Sequence, residues 1–116
     1  MLSYTTSPAY HLIEEKKSNY AAADFSEGHY LQVEVAGVVA SSKQPELAQR
    51  FMQFMVTPAF QNHIPTGNWM YPVIKMDLPA GFDTLTVPQK ALQFDAKDVA
   101  DNRGKWIQAW QSAVSR

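Results

Sequence analysis

No cysteine occurs in this chain, which removes disulfides, thiolate metal sites and cysteine nucleophiles in one step. An excess of one charge is lacking too. Ten Lys and Arg stand against eleven Asp and Glu, for a formal net charge of −1, and no block of five like charges occurs, so there is no electrostatic footprint for nucleic acid. Long apolar runs are also missing. The longest strongly apolar stretch, Val35 to Ala40, is far below the ~20 residues that a membrane-crossing helix needs. At the start, Met1-Leu2 passes at once into Ser3-Tyr4-Thr5-Thr6, without the basic, apolar and small-residue regions of an export signal. The chain therefore reads as a cytoplasmic protein or as a piece of a longer precursor.

Catalytic and metal chemistry find no centre in the remaining inventory. His11, His29 and His63 are widely spaced, and Glu27-x-His29 is the one close carboxylate–imidazole pair; no ligand spacing implies a metal or a cofactor. Ser7 and His11 lie four residues apart, but a helix-capping serine turns toward its own backbone rather than toward a base. No Gly-x-Ser-x-Gly elbow is present, and Glu14-Glu15-Lys16-Lys17 reads as a solvated helix end. An enzyme is not expected.

The 116 residues, 46% of them hydrophobic, suffice for one domain with a core. Ser7 at a cap position and Pro8 at the first helical position predict a short helix running to Lys16. Asp24 to Gly28 reads as a turn. A strand is expected from His29 to Ala40, alternating at first and continuously apolar through Val38-Val39-Ala40. Pro45 opens the clearest helix, in which Leu47, Phe51, Phe54 and Met55 share one face that predicts burial. Thr57-Pro58 ends it and starts a short turn to His63. From Ile64 to Pro88 the prolines 65, 72, 79 and 88 and the glycines 67 and 81 interrupt regular structure, yet the segment is rich in bulky apolar groups and must lie against something. A last helix is expected from about Asp98, with Val99, Arg103, Trp106, Ile107, Trp110 and Val114 on one face. Two convincing strands at most for three helices leave residues 33–40 short of partners.

Binding fares better than catalysis. Tyr4-Thr5-Thr6-Ser7-Pro8 gathers hydroxyls at the opening of the first helix, where free backbone N–H groups favour a phosphate or carboxylate. An ordinary capped helix would account for the same residues. Tyr4, Tyr10, Trp69 and Tyr71, all outside the buried stripes, add flat apolar walls suited to a small amphipathic ligand with a cationic ring. A simple loop anchor is the alternative for Trp69 in its Gly67-Asn68-Trp69 turn.

Four stretches carry a resemblance: Tyr4-Thr5-Thr6-Ser7-Pro8, Gly28 to Val35, Ala48 to Met55, and Ile64-Pro65-Thr66-Gly67-Asn68-Trp69-Met70-Tyr71-Pro72. In these the chain resembles the C-terminal portion of the periplasmic thiamine-binding family, substrate-binding components of bacterial ABC importers. The resemblance implies an α/β, partial periplasmic-binding-protein-like (type II) fold that contributes to both lobes of a bilobed protein. It implies that residues 1–29 end the second lobe, 30–40 cross between lobes, and 41–116 complete the first. It further implies a ligand site at Tyr4, Thr5, Thr6, Ser7, Pro8, Tyr10 and Trp69, with thiamine, thiamine phosphate or thiamine diphosphate as ligand and a membrane permease as partner. Periplasmic location is implied for the full-length relative. Roughly the N-terminal two thirds of such a protein has no counterpart here. A truncated, non-transporting fragment, or an interaction module that uses the apolar loop Trp69 to Leu78, therefore remains an alternative.

Overall fold

Two of the chain's backbone turns place residues in the left-handed region without glycine, at Lys16 (φ 55°) and Trp69 (φ 54°), and each follows a short helix. The structure, a computed structural model, describes residues 2–115. In chain order these form α1 (Ser7–Ile13), β1 (His29–Tyr30), α2 (Pro45–Met55), α3 (Pro58–Gln61), α4 (Ile64–Gly67), β2 (Ala91–Leu92) and α5 (Ala96–Val114).

Proline fixes where four of the helices begin, because its φ suits the first turn and its missing N–H is not needed there. Pro8, Pro45, Pro58 and Pro65 occupy the first or second position of α1, α2, α3 and α4. In α1 the cap position belongs to Thr6 rather than Ser7. Turn bonds from Ser7 N to Tyr4 O and from Ala9 N to Thr6 O extend the coil backwards, so Ser7 becomes the first helical residue and the Thr6 side chain makes no cap bond. α1 also stops at Ile13, short of Lys16, whose Nζ folds back to donate to the Ile13 carbonyl at 2.6 Å. At α5 the Asp95 carboxylate caps the helix, accepting from Lys97 N at 2.9 Å and Asp98 N at 3.1 Å. That cap starts the helix two residues before the expected position.

The expected strand from 29 to 40 is reduced to two residues. β1 pairs in parallel with β2, His29 opposite Ala91 and Tyr30 opposite Leu92. Gly28 permits the approach: its φ is +110°, and a Cβ there would lie 2.8 Å from the Lys90 carbonyl oxygen. Leu31 N still reaches the Leu92 carbonyl at 3.0 Å, but residues 32–39 form no regular element and stay exposed. A strand is a cooperative object that needs a neighbour's backbone to satisfy its N–H and C=O groups. The apolar pattern at Val33, Val35, Val38 and Val39 finds no strand neighbour among the described residues.

The two long helices are likewise uncovered among the described residues. The stripe Leu47, Phe51 and Phe54, read as core, is exposed, and α2 buries no residue. Its rings instead cluster with Phe60, Phe54 meeting Phe60 edge-on at 5.7 Å and Phe51 meeting it at 6.3 Å. The face Trp106, Ile107, Trp110 and Val114 of α5 is exposed as well. The surface of 9562 Å² exceeds by about half the ~6,400 Å² of a folded monomer of this mass. The radius of gyration, 17.7 Å, compares with ~13 Å for a compact chain of this length.

What core there is lies under α1. Ala9, Phe82 and Leu85 are buried together, with Ile13 and Trp69 packed against them. The 64–88 segment thus lies against the first helix, as its apolar content required. Pro65, read as a chain breaker, is instead the fully buried second residue of α4. Gln61 ties the segment to α2 and α3: its Nε2 donates to the Met55 carbonyl at 2.7 Å while its Oε1 accepts from Val73 N at 2.8 Å.

Candidate binding site

Trp69 stands at the first position beyond the Asn68 cap of α4, where helices that end in a left-handed residue almost always place glycine. A bulky residue with φ 54° is an outlier that costs ~1–3 kcal/mol and persists only when its surroundings demand it. The consequence is directional. The indole turns back from α4 onto the core and meets Tyr10 of α1 edge-on, with ring centroids 5.2 Å apart and planes at 87°. Two residues separated by 59 positions in sequence so form one aromatic corner, with half of it open to solvent: Tyr10 is 40% exposed.

The hydroxyl-rich stretch leads into α1, the helix that carries Tyr10. Tyr4 is exposed, Thr5, Ser7 and Pro8 are half-buried, and Thr6 is buried at 4% exposure. The Thr6 Oγ1 has no hydrogen-bond partner, an uncommon state for a buried hydroxyl. Ser3 and Ser7 share a hydrogen bond between their Oγ atoms at 2.5 Å. Of the seven residues singled out from sequence, the structure brings Tyr10 and Trp69 into direct contact. It places Ser7 and Pro8 in the first turn of the helix that carries Tyr10, with Thr6 at its cap, and leaves Thr5 and the exposed Tyr4 in the turn before it.

Several neighbours were not legible in advance. Phe82 and Leu85 form the floor beneath α1, hidden in sequence within a segment that lacks periodicity. Tyr71, which the sequence did offer as an aromatic wall, meets Phe82 edge-on at 5.8 Å, and burial raises its phenol pKa above the ordinary value. Beside Tyr10, at 5.4 Å between ring centroids, His11 stacks on Tyr20 with centroids 3.7 Å apart, and its Nδ1 lies 2.8 Å from the Glu15 carboxylate, which Lys17 Nζ also reaches at 3.1 Å. The bond to His11, then that to Lys17, holds the Glu15 carboxyl below its usual pKa. Any stability from this pairing is present above the unfolded-state pKa of Glu15 and lost as pH falls through its lowered folded value. Among the described residues no group of three or more His, Cys, Asp or Glu could hold a metal ion, and no helix is long and apolar enough to cross a membrane.

No protein-family model matches the chain. Individual relatives do: the thiamine-binding periplasmic protein of Escherichia coli K12 is 70% identical over all 116 residues, which make up 36% of that protein. The chain is similar throughout to a C-terminal portion of the thiamine-binding periplasmic protein. The Salmonella typhimurium thiamine-binding periplasmic protein is 67% identical and that of Brucella melitensis 46%, again across the whole chain and about a third of each relative. A solved periplasmic thiamin binding protein superimposes on 98% of the chain with a TM-score of 0.88 at 70% identity, the match taking in 36% of that structure. At that identity the fold is shared, so the five helices and the small parallel sheet are part of a periplasmic-binding-protein-like α/β fold. The chain spans just over a third of the thiamine-binding proteins it matches, and these relatives are named for binding rather than for catalysis.

Proposed function

We propose that the chain supplies one wall of a thiamine site in the substrate-binding component of a bacterial ABC importer, with no catalytic role. The observation that carries this reading is the Tyr10–Trp69 corner, reached through a strained left-handed turn. Aromatic faces attract cations and flat rings, and thiamine offers a positively charged thiazolium and an aminopyrimidine. Tyr4, Thr5, Thr6, Ser7 and Pro8 supply hydroxyl and backbone groups to the polar end, which in thiamine phosphate or thiamine diphosphate is anionic. The orphaned Thr6 hydroxyl gains a partner in that arrangement. The likeness to thiamine-binding proteins across the full chain supports the ligand class.

Within this reading residues 1–29 belong to one lobe, 30–40 carry the chain across, and 41–116 complete the other lobe. The exposed segment 32–39 and the bare faces of α2 and α5 support that division, since each has apolar surface with no cover among the described residues. The membrane permease is the partner and the periplasm the location.

A chimera provides the test: this chain replaces the matching portion of the Escherichia coli relative, and thiamine is titrated by calorimetry. Saturable binding at one site per molecule is expected. A folded chimera that takes up no thiamine, thiamine phosphate or thiamine diphosphate overturns the reading.

A further inference from the structure

The left-handed turn at Trp69 is held from outside its own helix. Asn68, the residue immediately before it, donates from Nδ2 to Glu34 Oε2 at 2.9 Å, a bond that spans 34 positions. Asn68 also closes α4 through its backbone N–H, which reaches the Ile64 carbonyl at 3.0 Å. Its side chain and main chain are therefore both engaged where the backbone changes from helical to left-handed. Nothing in α4 itself favours a tryptophan at φ 54°, since a four-residue helix has little cooperativity to impose a conformation. A carboxylate acceptor makes the stronger kind of hydrogen bond. It fixes the side chain of the residue that aims the indole.

Glu34 comes from the exposed 32–39 segment, which forms no regular element and follows the last bond of the small sheet, Leu31 N to Leu92 O. The tether thus joins that segment to the aromatic corner, and a displacement of one is felt by the other. We propose that Glu34, acting through Asn68, is a positioning residue that holds the Trp69 indole against Tyr10, and that it links the conformation of the 32–39 segment to ligand binding. The inference rests on the thiamine-site reading, in which Trp69 touches the ligand while Glu34 does not.

The thiamine-titrated chimera carries the test. Glu34→Ala is expected to weaken thiamine binding by about 3- to 10-fold, the scale of one lost hydrogen bond, and Asn68→Ala by a similar factor. The double variant should be no weaker than either single one, because both remove the same bond. Glu34→Gln keeps an acceptor oxygen and should recover most of the affinity. In a Trp69→Ala background, Glu34→Ala should change nothing further. Without ligand, the Trp69 indole N–H resonance should move in Glu34→Ala and return toward its parent position in Glu34→Gln. Parent affinity and an unmoved indole resonance in Glu34→Ala overturn the tether. So does a loss that persists undiminished in the Trp69→Ala background. Parent affinity in Trp69→Ala alone overturns the site reading itself, and the tether with it.

Discussion

Trp69→Ala in the chimera is expected to weaken thiamine binding by about 1–3 kcal/mol, roughly 5- to 150-fold, through lost stacking and cation attraction. Trp69→Phe should recover part of the loss, because a smaller ring still faces Tyr10. Calorimetric titration reads both. The indole also packs on Ala9, Phe82 and Leu85, so a thermal melt of each variant separates loss of binding from loss of fold. Unchanged affinity in Trp69→Ala removes the residue from the site. The positive φ at this position makes the expectation sharper. A side chain placed there purely for packing would be readily replaced by glycine, which suits the turn better.

The second large effect concerns the chain by itself. Purified alone, the 116-residue chain is expected to unfold over a broad range, to bind an apolar fluorescent dye, and to hold thiamine on the order of 100-fold more weakly than the chimera. The reason is an imbalance visible in its burial. Ala9, Phe82 and Leu85 are the buried hydrophobic residues among those described, while Phe51, Phe54, Trp106 and Trp110 remain open to water. Ordering a backbone costs ~1–2 kcal/mol per residue, and so small a buried group cannot offset that over such a length. Small-molecule sites also enclose most of the ligand surface, and one wall leaves much of it wet. A sharp two-state melt together with full affinity would show that the chain needs no further surface.

The sequence carried local information well. Pro8, Pro45 and Pro58 marked the openings of α1, α2 and α3, while Pro65 read as a breaker and opens α4; the Leu47-Phe51-Phe54 period marked α2 and the stripe around Trp106 marked α5, each within a few residues of its observed bounds. It failed where tertiary partners decide the outcome. The 29–40 pattern is a strand pattern, but only His29–Tyr30 finds a neighbour. The stripe of α2 is a core stripe with no core over it. The capping misreading at Ser7 has a different origin, since Ser3–Ser7 pairing and the turn bonds of Tyr4 and Thr6 move the helix start back by one residue.

At the site, the residue types were legible and their geometry was not. Tyr10 and Trp69 were grouped by resemblance and by aromatic character, while their contact depends on a left-handed turn that no composition signals in a tryptophan. Asn68 was the nearest hint, as a residue that often ends helices. Its bond to Glu34 depends on a chain reversal that no local pattern encodes. Thr6 was grouped with the other hydroxyls, and nothing local distinguishes it as the one that is buried without a hydrogen-bond partner.

The most direct measurement is a crystal structure of the chimera with thiamine bound. The account predicts a thiamine ring within about 4 Å of the Trp69 indole, in van der Waals contact beside Tyr10. It also predicts the polar end of the ligand toward the turn formed by Thr5, Thr6 and Ser7. Thiamine bound elsewhere, with the Trp69–Tyr10 corner filled only by solvent, would contradict it.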